Sequence, residues 1–180
     1  MINNEKVIAQ TTQWIQSVVI GCNFCPFAAH AMLRESVRFA VLPDATMETG
    51  LEFFLEELRY CDDHEEVATT LVIFPGAFGP FKEYLKLVDL AEALSSDQDY
   101  DGIYQVASFH PEYCFAGAPK NDPANFTNRS IYPMLHILRE DSLSKALVGF
   151  PDPEGIPQRN IDFAQSKGLD WMKALRDACV

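Results

Sequence analysis

The chain has 180 residues, of which 48% are hydrophobic and 22% charged, so it is long enough for one buried core but short for two. Its formal net charge of −12 disfavours nucleic acid or an anionic bilayer as a partner, because the 14 lysines and arginines are scattered along the chain. No secretory signal is evident, and no apolar run approaches the roughly 18 residues that span a bilayer. We therefore expect one cytosolic domain comprising residues 1–180.

The N-terminal part of the chain predicts two helices followed by a strand. Apolar residues at helical spacing indicate a helix over 5–20, with Gly21 as the residue that ends it. Pro26 suits the first position of a second, short helix, which makes Cys25 the N-cap residue. Alternating side chains then predict a strand over 36–42.

The middle of the chain alternates helices and strands. Leucine and phenylalanine at i, i+3, i+4 and i+7 predict a helix over 46–61. A β-branched run over 69–74 is apolar on both faces, which is typical of an interior strand. A helix over 81–95 and a third strand over 103–109 follow. This order predicts helical crossovers between the first three strands.

The C-terminal part predicts a fourth strand and further helices. We expect a strand over 134–139, because Asp141 or Ser142 resembles the N-cap of a later helix. Residues 152–178 contain two helical segments, and Gly168 is among the residues that bound them.

This arrangement indicates an α/β protein, a single-domain layered sandwich with a mixed sheet of about four strands flanked by helices. The helical crossovers favour a parallel orientation for the first three strands, whereas the fourth strand returns antiparallel.

The segment 110–133 has no convincing periodicity, although its length is unusual for a loop in a compact domain. Several aromatic residues argue against disorder and are expected to anchor it. Ligands of open α/β sheets bind beyond the carboxyl ends of the strands, where this segment begins. If the fourth strand pairs antiparallel to the third, His110 and His136 approach one another. The segment is therefore the candidate active-site loop.

Five short motifs are spread over most of the chain. They are Cys25-Pro26-Phe27, Phe109-His110-Pro111, Asn125-x-Thr127-Asn128-Arg129-Ser130, Tyr132-Pro133 and His136-x-x-Arg139-Glu140. In combination they resemble the markers of a bacterial family of domains of unknown function of about the same length. The resemblance extends from Trp14 to Asn160 and implies no established activity. The family usually carries leucine where this chain has Cys22 and proline where it has Ile131, and the first departure weakens a redox interpretation of the cysteine pair.

Two histidines and a carboxylate form a candidate metal site. His110, Glu112 and His136 resemble the two-histidine, one-carboxylate set that holds a divalent metal with open coordination positions. The alternative is that each histidine bonds a backbone carbonyl group. The histidines are also the candidate groups for proton transfer near neutral pH.

An anion site is the second candidate. Arg129 and Arg139 have the planar guanidinium groups that clamp a carboxylate or phosphate. The polar residues expected to orient the bound group are Asn125, Thr127, Asn128 and Ser130. Equally, these side chains are of the kind that satisfies the backbone of a loop.

The cysteines give a third candidate. An odd number, five, in a reducing compartment indicates free thiols. Cys22 and Cys25 have C-x-x-C spacing but follow a helix, unlike a thioredoxin-type site. At a helix N-terminus the thiolate of Cys25 is favoured as a nucleophile or metal ligand. The alternative is a buried, inert cysteine.

These candidates predict a cytosolic small-molecule enzyme that acts on an anionic substrate through a loop site of His, Arg and Asn residues. The catalytic residues are Cys25, His110 and His136, with assistance from a divalent metal left open. The alternative is a non-catalytic domain that binds a ligand or a protein. Neither the cofactor nor the oligomeric state follows from the sequence.

Overall fold

The structure, a computed structural model, describes residues 3–180 as an α/β sandwich. The helices are α1 (Asn4–Trp14), α2 (Pro26–Leu33), α3 (Met47–Asp63), α4 (Phe81–Asp97), α5 (Glu140–Leu147), α6 (Ile156–Lys167) and α7 (Leu169–Asp177), and the strands are β1 (Val37–Val41), β2 (Thr69–Ile73), β3 (Tyr104–Phe109) and β4 (Met134–Arg139). The predicted fold class is confirmed. None of the helices within residues 3–180 combines the length and the apolar character needed to cross a bilayer.

The sheet is open and mixed, with strand order β1-β2-β4-β3. β1 and β2 are parallel, and β4 lies antiparallel between β2 and β3. The first three strands therefore run in one direction and the fourth in the other, as the lengths of the crossovers predict. In this register His136 lies between Leu71 of β2 and Ala107 of β3.

The two faces of the sheet carry separate core clusters, because successive side chains of a strand point to opposite faces. Met134 packs in the cluster beneath α1 and α7. Leu135 and Ile137 pack in the cluster beneath α3 and α4. The face on which a strand side chain lies therefore determines which helices it packs against.

The first helix differs from the predicted continuous helix over 5–20. α1 ends at Trp14 and continues as a π-helical segment over Ile15–Ile20. Gly21 keeps a right-handed conformation, with φ of −59°, and the left-handed residue is Asn23, with φ of 56°. Gly21 thus follows the last helical residue, as expected, and Asn23 takes the left-handed conformation that usually favours glycine. Asparagine tolerates that conformation because its short polar side chain bonds locally.

The helix after β4 also begins earlier than expected. α5 starts at Glu140, directly after the strand, so neither Asp141 nor Ser142 is its N-cap. The backbone N–H of Glu140 donates to the carbonyl oxygen of Ile103. This contact satisfies one of the N-terminal N–H groups that a Ser or Asp cap would otherwise serve.

Candidate functional site

Asn125 fastens the loop between β3 and β4. Its side chain is fully buried, its Oδ1 accepts the N–H of Phe115 at 3.0 Å, and its Nδ2 donates to the carbonyl oxygen of Pro119 at 3.0 Å. The loop also contains a 3₁₀ turn over Pro123–Thr127. Asn125 therefore supplies the loop with hydrogen bonds that a strand or helix would otherwise provide.

The remaining polar residues of the loop motif have similar bonds. Asn128 Nδ2 donates to the carbonyl oxygen of Ser108 at 3.1 Å, and the Thr127 hydroxyl donates to that of Ala124 at 2.9 Å. Ser130 is buried and donates to the carbonyl oxygen of Tyr132. Their geometry supports the alternative in which the motif organises its own backbone.

His110 is fully buried beneath α4. Its Nδ1 accepts the N–H of Glu112 at 2.9 Å, so Nε2 carries the hydrogen and donates to the carbonyl oxygen of Phe78 at 2.9 Å. Phe78 has a φ of 54°, and this bond helps to hold the strained turn after β2. Burial lowers the pKa of His110. With both nitrogens engaged, the imidazole has a structural role and no free atom for a substrate or metal.

His136 lies on the opposite face of the sheet from His110. The His110 ring packs against Tyr84 of α4, with 4.8 Å between ring centroids, whereas the His136 ring packs against Phe109 at 5.7 Å and bonds Thr69. The expected approach of the two histidines does not occur, because consecutive residues at the end of β3 point to different faces.

The structure does not bring together the proposed metal ligands His110, Glu112 and His136. Glu112 is exposed, and its neighbour His110 uses both ring nitrogens for hydrogen bonds. Within residues 3–180, no three His, Cys, Asp or Glu side chains are grouped suitably for a metal ion. The geometry therefore gives the metal hypothesis no support.

Arg139 does not pair with Arg129, because Arg139 is the last residue of β4 whereas Arg129 lies in the loop that precedes the strand. The Arg139 guanidinium donates to backbone carbonyl oxygens near the end of α3, including those of Cys61 (2.5 Å) and His64 (3.3 Å), and lies over the Tyr104 ring. Arg139 thus joins β4 to α3, and the predicted Arg129–Arg139 clamp is not formed.

Arg129 has a different cationic neighbour, Arg176 of α7. The two guanidinium carbons lie 4.8 Å and 5.2 Å from the centroid of the Phe126 ring. Arg129 donates to the carbonyl oxygens of Tyr113 at 2.8 Å and Lys120 at 2.7 Å. These backbone contacts orient the guanidinium and leave its charge without a carboxylate partner among residues 3–180.

Arg129 and Arg176 form part of a cavity of about 700 Å³, here called the basic cleft. Five cations and one carboxylate line it: Lys82, Lys120, Arg129, Lys173, Arg176 and Glu112. Of the five cations, Arg176 alone forms an ion pair in the described part of the chain, with Asp177. Burial, and then the charge of Arg176, lower the pKa of Arg129. Positive charge is therefore concentrated locally in an acidic protein.

Cys25 and His136 share a second cavity, of about 400 Å³, between the sheet and α2. We call it the apolar cavity, because its walls are mainly apolar side chains such as Trp14, Phe109 and Leu138. Cys25 is the N-cap residue of α2, as predicted. Burial raises the pKa of its thiol, and the N–H groups of the helix only partly oppose this effect. The expected thiolate is therefore not favoured, because desolvation outweighs the helix dipole.

The other cysteine of the C-x-x-C pair belongs to the core. Cys22 is buried beneath the sheet, burial raises the pKa of its thiol, and both Cys22 and Cys25 are free thiols. This placement gives no support to a redox interpretation of the pair, which the leucine-to-Cys22 departure from the family pattern already weakens.

A third, larger cavity of about 790 Å³ lies between α2 and α5. Arg34 and Lys145 line it together with Glu65 and Glu66, so its ionic charges balance. Balanced charges give no preference for an anion or a cation, and the other two cavities have a more defined chemistry.

Most residues of the basic cleft were missed by sequence reasoning. Lys82 begins α4, Lys120 lies in the loop after β3, and Lys173 and Arg176 lie on α7. In the sequence these cations are scattered, and no local motif joins them. The one available signal was the spacing of Lys173 and Arg176, which places both on one side of a helix.

One hydrogen bond joins the walls of the two cavities. The indole Nε1 of Trp14, which lines the apolar cavity, donates to the backbone carbonyl oxygen of Arg129 at 3.2 Å. In the described part of the chain, the basic cleft and the apolar cavity share no lining residue.

The fold and these cavities define an open α/β sandwich protein in which two of the cavities, the basic cleft and the apolar cavity, have contrasting chemistry. The chain belongs to the family described as "Protein of unknown function (DUF1415)", whose family model matches residues 6–174. The resemblance to a family of domains of unknown function is confirmed. Comparison with curated proteins and with solved structures found no match.

Proposed function

We propose that the protein binds a small anionic molecule in the basic cleft. The observation that carries this proposal is the convergence of five cationic side chains on one cavity in a protein with a net charge of −12. Four of the five cations form no ion pair within residues 3–180, and a concentration of such charges is suited to an anionic ligand.

The two arginines are held in place before any ligand arrives. Backbone carbonyl oxygens of Tyr113 and Lys120 orient Arg129, and that of Pro111 orients Arg176 at 3.0 Å. Burial lowers the pKa of Arg129, and the like charge of Arg176 lowers it further, so the two guanidinium groups repel each other. A phosphate or carboxylate between them relieves this repulsion and accepts the remaining N–H groups.

The walls of the cleft also favour a ligand with an apolar part. Phe81, Phe126 and Leu169 line the cavity beside the cations. A cavity of about 700 Å³ falls in the range of small-molecule sites, so the geometry favours a metabolite over a protein partner.

The geometry supports binding more than the histidine-dependent catalysis considered from the sequence. His110 packs behind Phe81, with 5.1 Å between ring centroids, and both its nitrogens are bonded to the backbone. An enzyme at this cleft needs another group to move protons, and Glu112 is the one carboxylate in the lining.

The proposal is tested by calorimetric titration of pyrophosphate and citrate into the wild-type protein and the variants K82E and K173E. Both lysines are exposed and their side chains form no hydrogen bond or ion pair in residues 3–180, so the fold should tolerate the changes. We expect each reversal to weaken binding about tenfold, the value for loss of one charged contact.

The matched control is K86E, which makes the same charge change one turn further along α4, outside the cleft. Affinity close to that of wild type in K86E is expected. Absence of saturable binding to either anion, or equal losses in K86E and K82E, would contradict the proposal.

A further inference from the structure

We infer that the apolar cavity is a second binding site, for a neutral and mainly apolar small molecule that donates one O–H or N–H hydrogen bond to Nδ1 of His136. The inference concerns residues outside the basic cleft and does not depend on the function proposed there.

Hydrogen counting assigns the tautomer of His136. The Thr69 hydroxyl has one hydrogen and donates it to the carbonyl oxygen of Ile137 at 2.7 Å. Thr69 Oγ1 also lies 2.5 Å from His136 Nε2, so at this contact the hydroxyl accepts and Nε2 carries the hydrogen. The lone pair of the neutral ring is therefore on Nδ1.

The Nδ1 atom of His136 is available to accept a hydrogen bond from a ligand. Nδ1 of His136 forms no hydrogen bond within residues 3–180. Every side-chain nitrogen or oxygen that is inaccessible to solvent in these residues does have a hydrogen-bond partner. Nδ1 is consequently not sealed and is reached through the cavity that His136 lines. An acceptor in apolar surroundings favours a guest that satisfies it, because an unmet hydrogen bond there is costly.

The cavity selects against charged guests. Among residues 3–180, Cys25 is the only other titratable side chain in its lining, and burial raises the pKa of that thiol. Burial also lowers the pKa of His136 to about 4, which keeps the imidazole neutral at physiological pH. No lining charge is therefore present to balance an ion, and desolvation of an ion is unfavourable.

The shape of the cavity fits a flat or short-chain molecule. The Trp14 and Phe109 rings meet edge to face, with centroids 5.2 Å apart, and form one wall. The cavity extends to the protein surface at Gln105, which is exposed and forms part of the lining. A volume of about 400 Å³ lies in the lower range of small-molecule sites.

The test compares 4-fluorophenol, which has a hydroxyl donor, with 4-fluoroanisole, in which that hydroxyl is methylated. Dissociation constants are measured by ¹⁹F NMR on the full chain and on H136L, with H30L, on the exposed side of α2, as the matched control. In wild type and H30L we expect the phenol to bind about fivefold more tightly, the value of one hydrogen bond. In H136L this preference is expected to disappear.

Two further measurements test whether the probes bind in the apolar cavity and contact Nδ1 of His136. The variant A107L places a larger side chain in the cavity beside His136 and should abolish binding of both probes. In wild type, 4-fluorophenol should shift the ¹⁵N resonance of unprotonated Nδ1 upfield, and 4-fluoroanisole should not; this measurement needs no variant. Absence of saturable binding, an equal phenol preference in H136L, or unchanged binding in A107L would each overturn the inference.

Discussion

Buried polar side chains of the same kind have different roles in this protein, and their hydrogen-bond partners decide which. His110 and Asn125 are satisfied by backbone groups of nearby loops, so they stabilise the turn and the loop that contain those groups. His136 has one nitrogen bonded and one directed at a cavity. The sequence identifies all three as candidates, but their partners cannot be predicted from it. Thr69, for example, lies 67 residues from His136.

The burial of His136 predicts a specific sensitivity to acid. Its pKa is about 4 in the folded protein and about 6.5 in the unfolded chain. Between these values the unfolded chain takes up a proton that the folded protein excludes, so stability falls as the pH decreases from 6.5 to 4. The contribution integrates to about 3 kcal/mol.

The measurement is urea unfolding of wild type and H136L between pH 7 and pH 4. We expect the loss of stability over this interval to be smaller in H136L by about 3 kcal/mol. H30L removes one exposed imidazole and serves as the control. Parallel pH profiles for wild type and H136L would show that His136 does not carry the effect.

The elements of the sheet follow from the sequence more directly than their ends do. β2 is predicted because it carries apolar residues on both of its faces. β4 is predicted because Asp141 or Ser142 resembles the N-cap of a later helix. Neither residue caps α5, because the helix starts at Glu140, whose N–H donates to the carbonyl oxygen of Ile103 just before β3. The π-helical segment Ile15–Ile20 is likewise invisible to a pattern based on 3.6 residues per turn.

Arg139 is expected to stabilise the junction of β4 with α3 and to have no part in anion binding. R139M removes a charged donor from the carbonyl oxygens of Cys61, His64 and Val67 and should lower the free energy of unfolding by about 2 kcal/mol. R139K keeps the charge without the fork geometry and should lie between wild type and R139M.

Urea unfolding measures this effect, and pyrophosphate titration supplies the control because Arg139 does not line the basic cleft. Unchanged stability in R139M, or a loss of pyrophosphate affinity at constant stability, would show that Arg139 has a different role.

At the scale of the whole molecule, positive charge is concentrated at one cavity although the net charge is strongly negative. The sequence predicts an anion site at Arg129 and Arg139, but folding instead brings Arg129 together with Lys82, Lys120 and α7 in one cavity of a protein with a net charge of −12. A one-dimensional count cannot anticipate this, because the residues come from three separate segments. The fold class was predictable from periodicity, whereas the site depends on how distant segments meet.

The two core clusters are expected to unfold together, as in a single domain. Leu87 and Met172 are fully buried on opposite faces of the sheet. L87A and M172A should each cost about 3 kcal/mol, and the double variant should show the sum within about 0.5 kcal/mol, because the residues share no partner.

Denaturant unfolding followed by far-ultraviolet circular dichroism and by tryptophan emission checks this expectation. Coincident curves are expected for wild type and all three variants. Two separated transitions, with each substitution moving only one of them, would mean that the faces unfold independently.

The hydrogen bond from Trp14 to the backbone of Arg129 has an optical consequence. The indole forms part of the apolar cavity, and its N–H is bonded to the residue whose guanidinium lines the basic cleft. Movement of that carbonyl group is expected to alter the polarity around the indole, so the Trp14 component of the emission, distinguished from that of exposed Trp171, should report occupancy at either location. Any cross-talk between the two sites must be reciprocal, and this bond is a direct route for it.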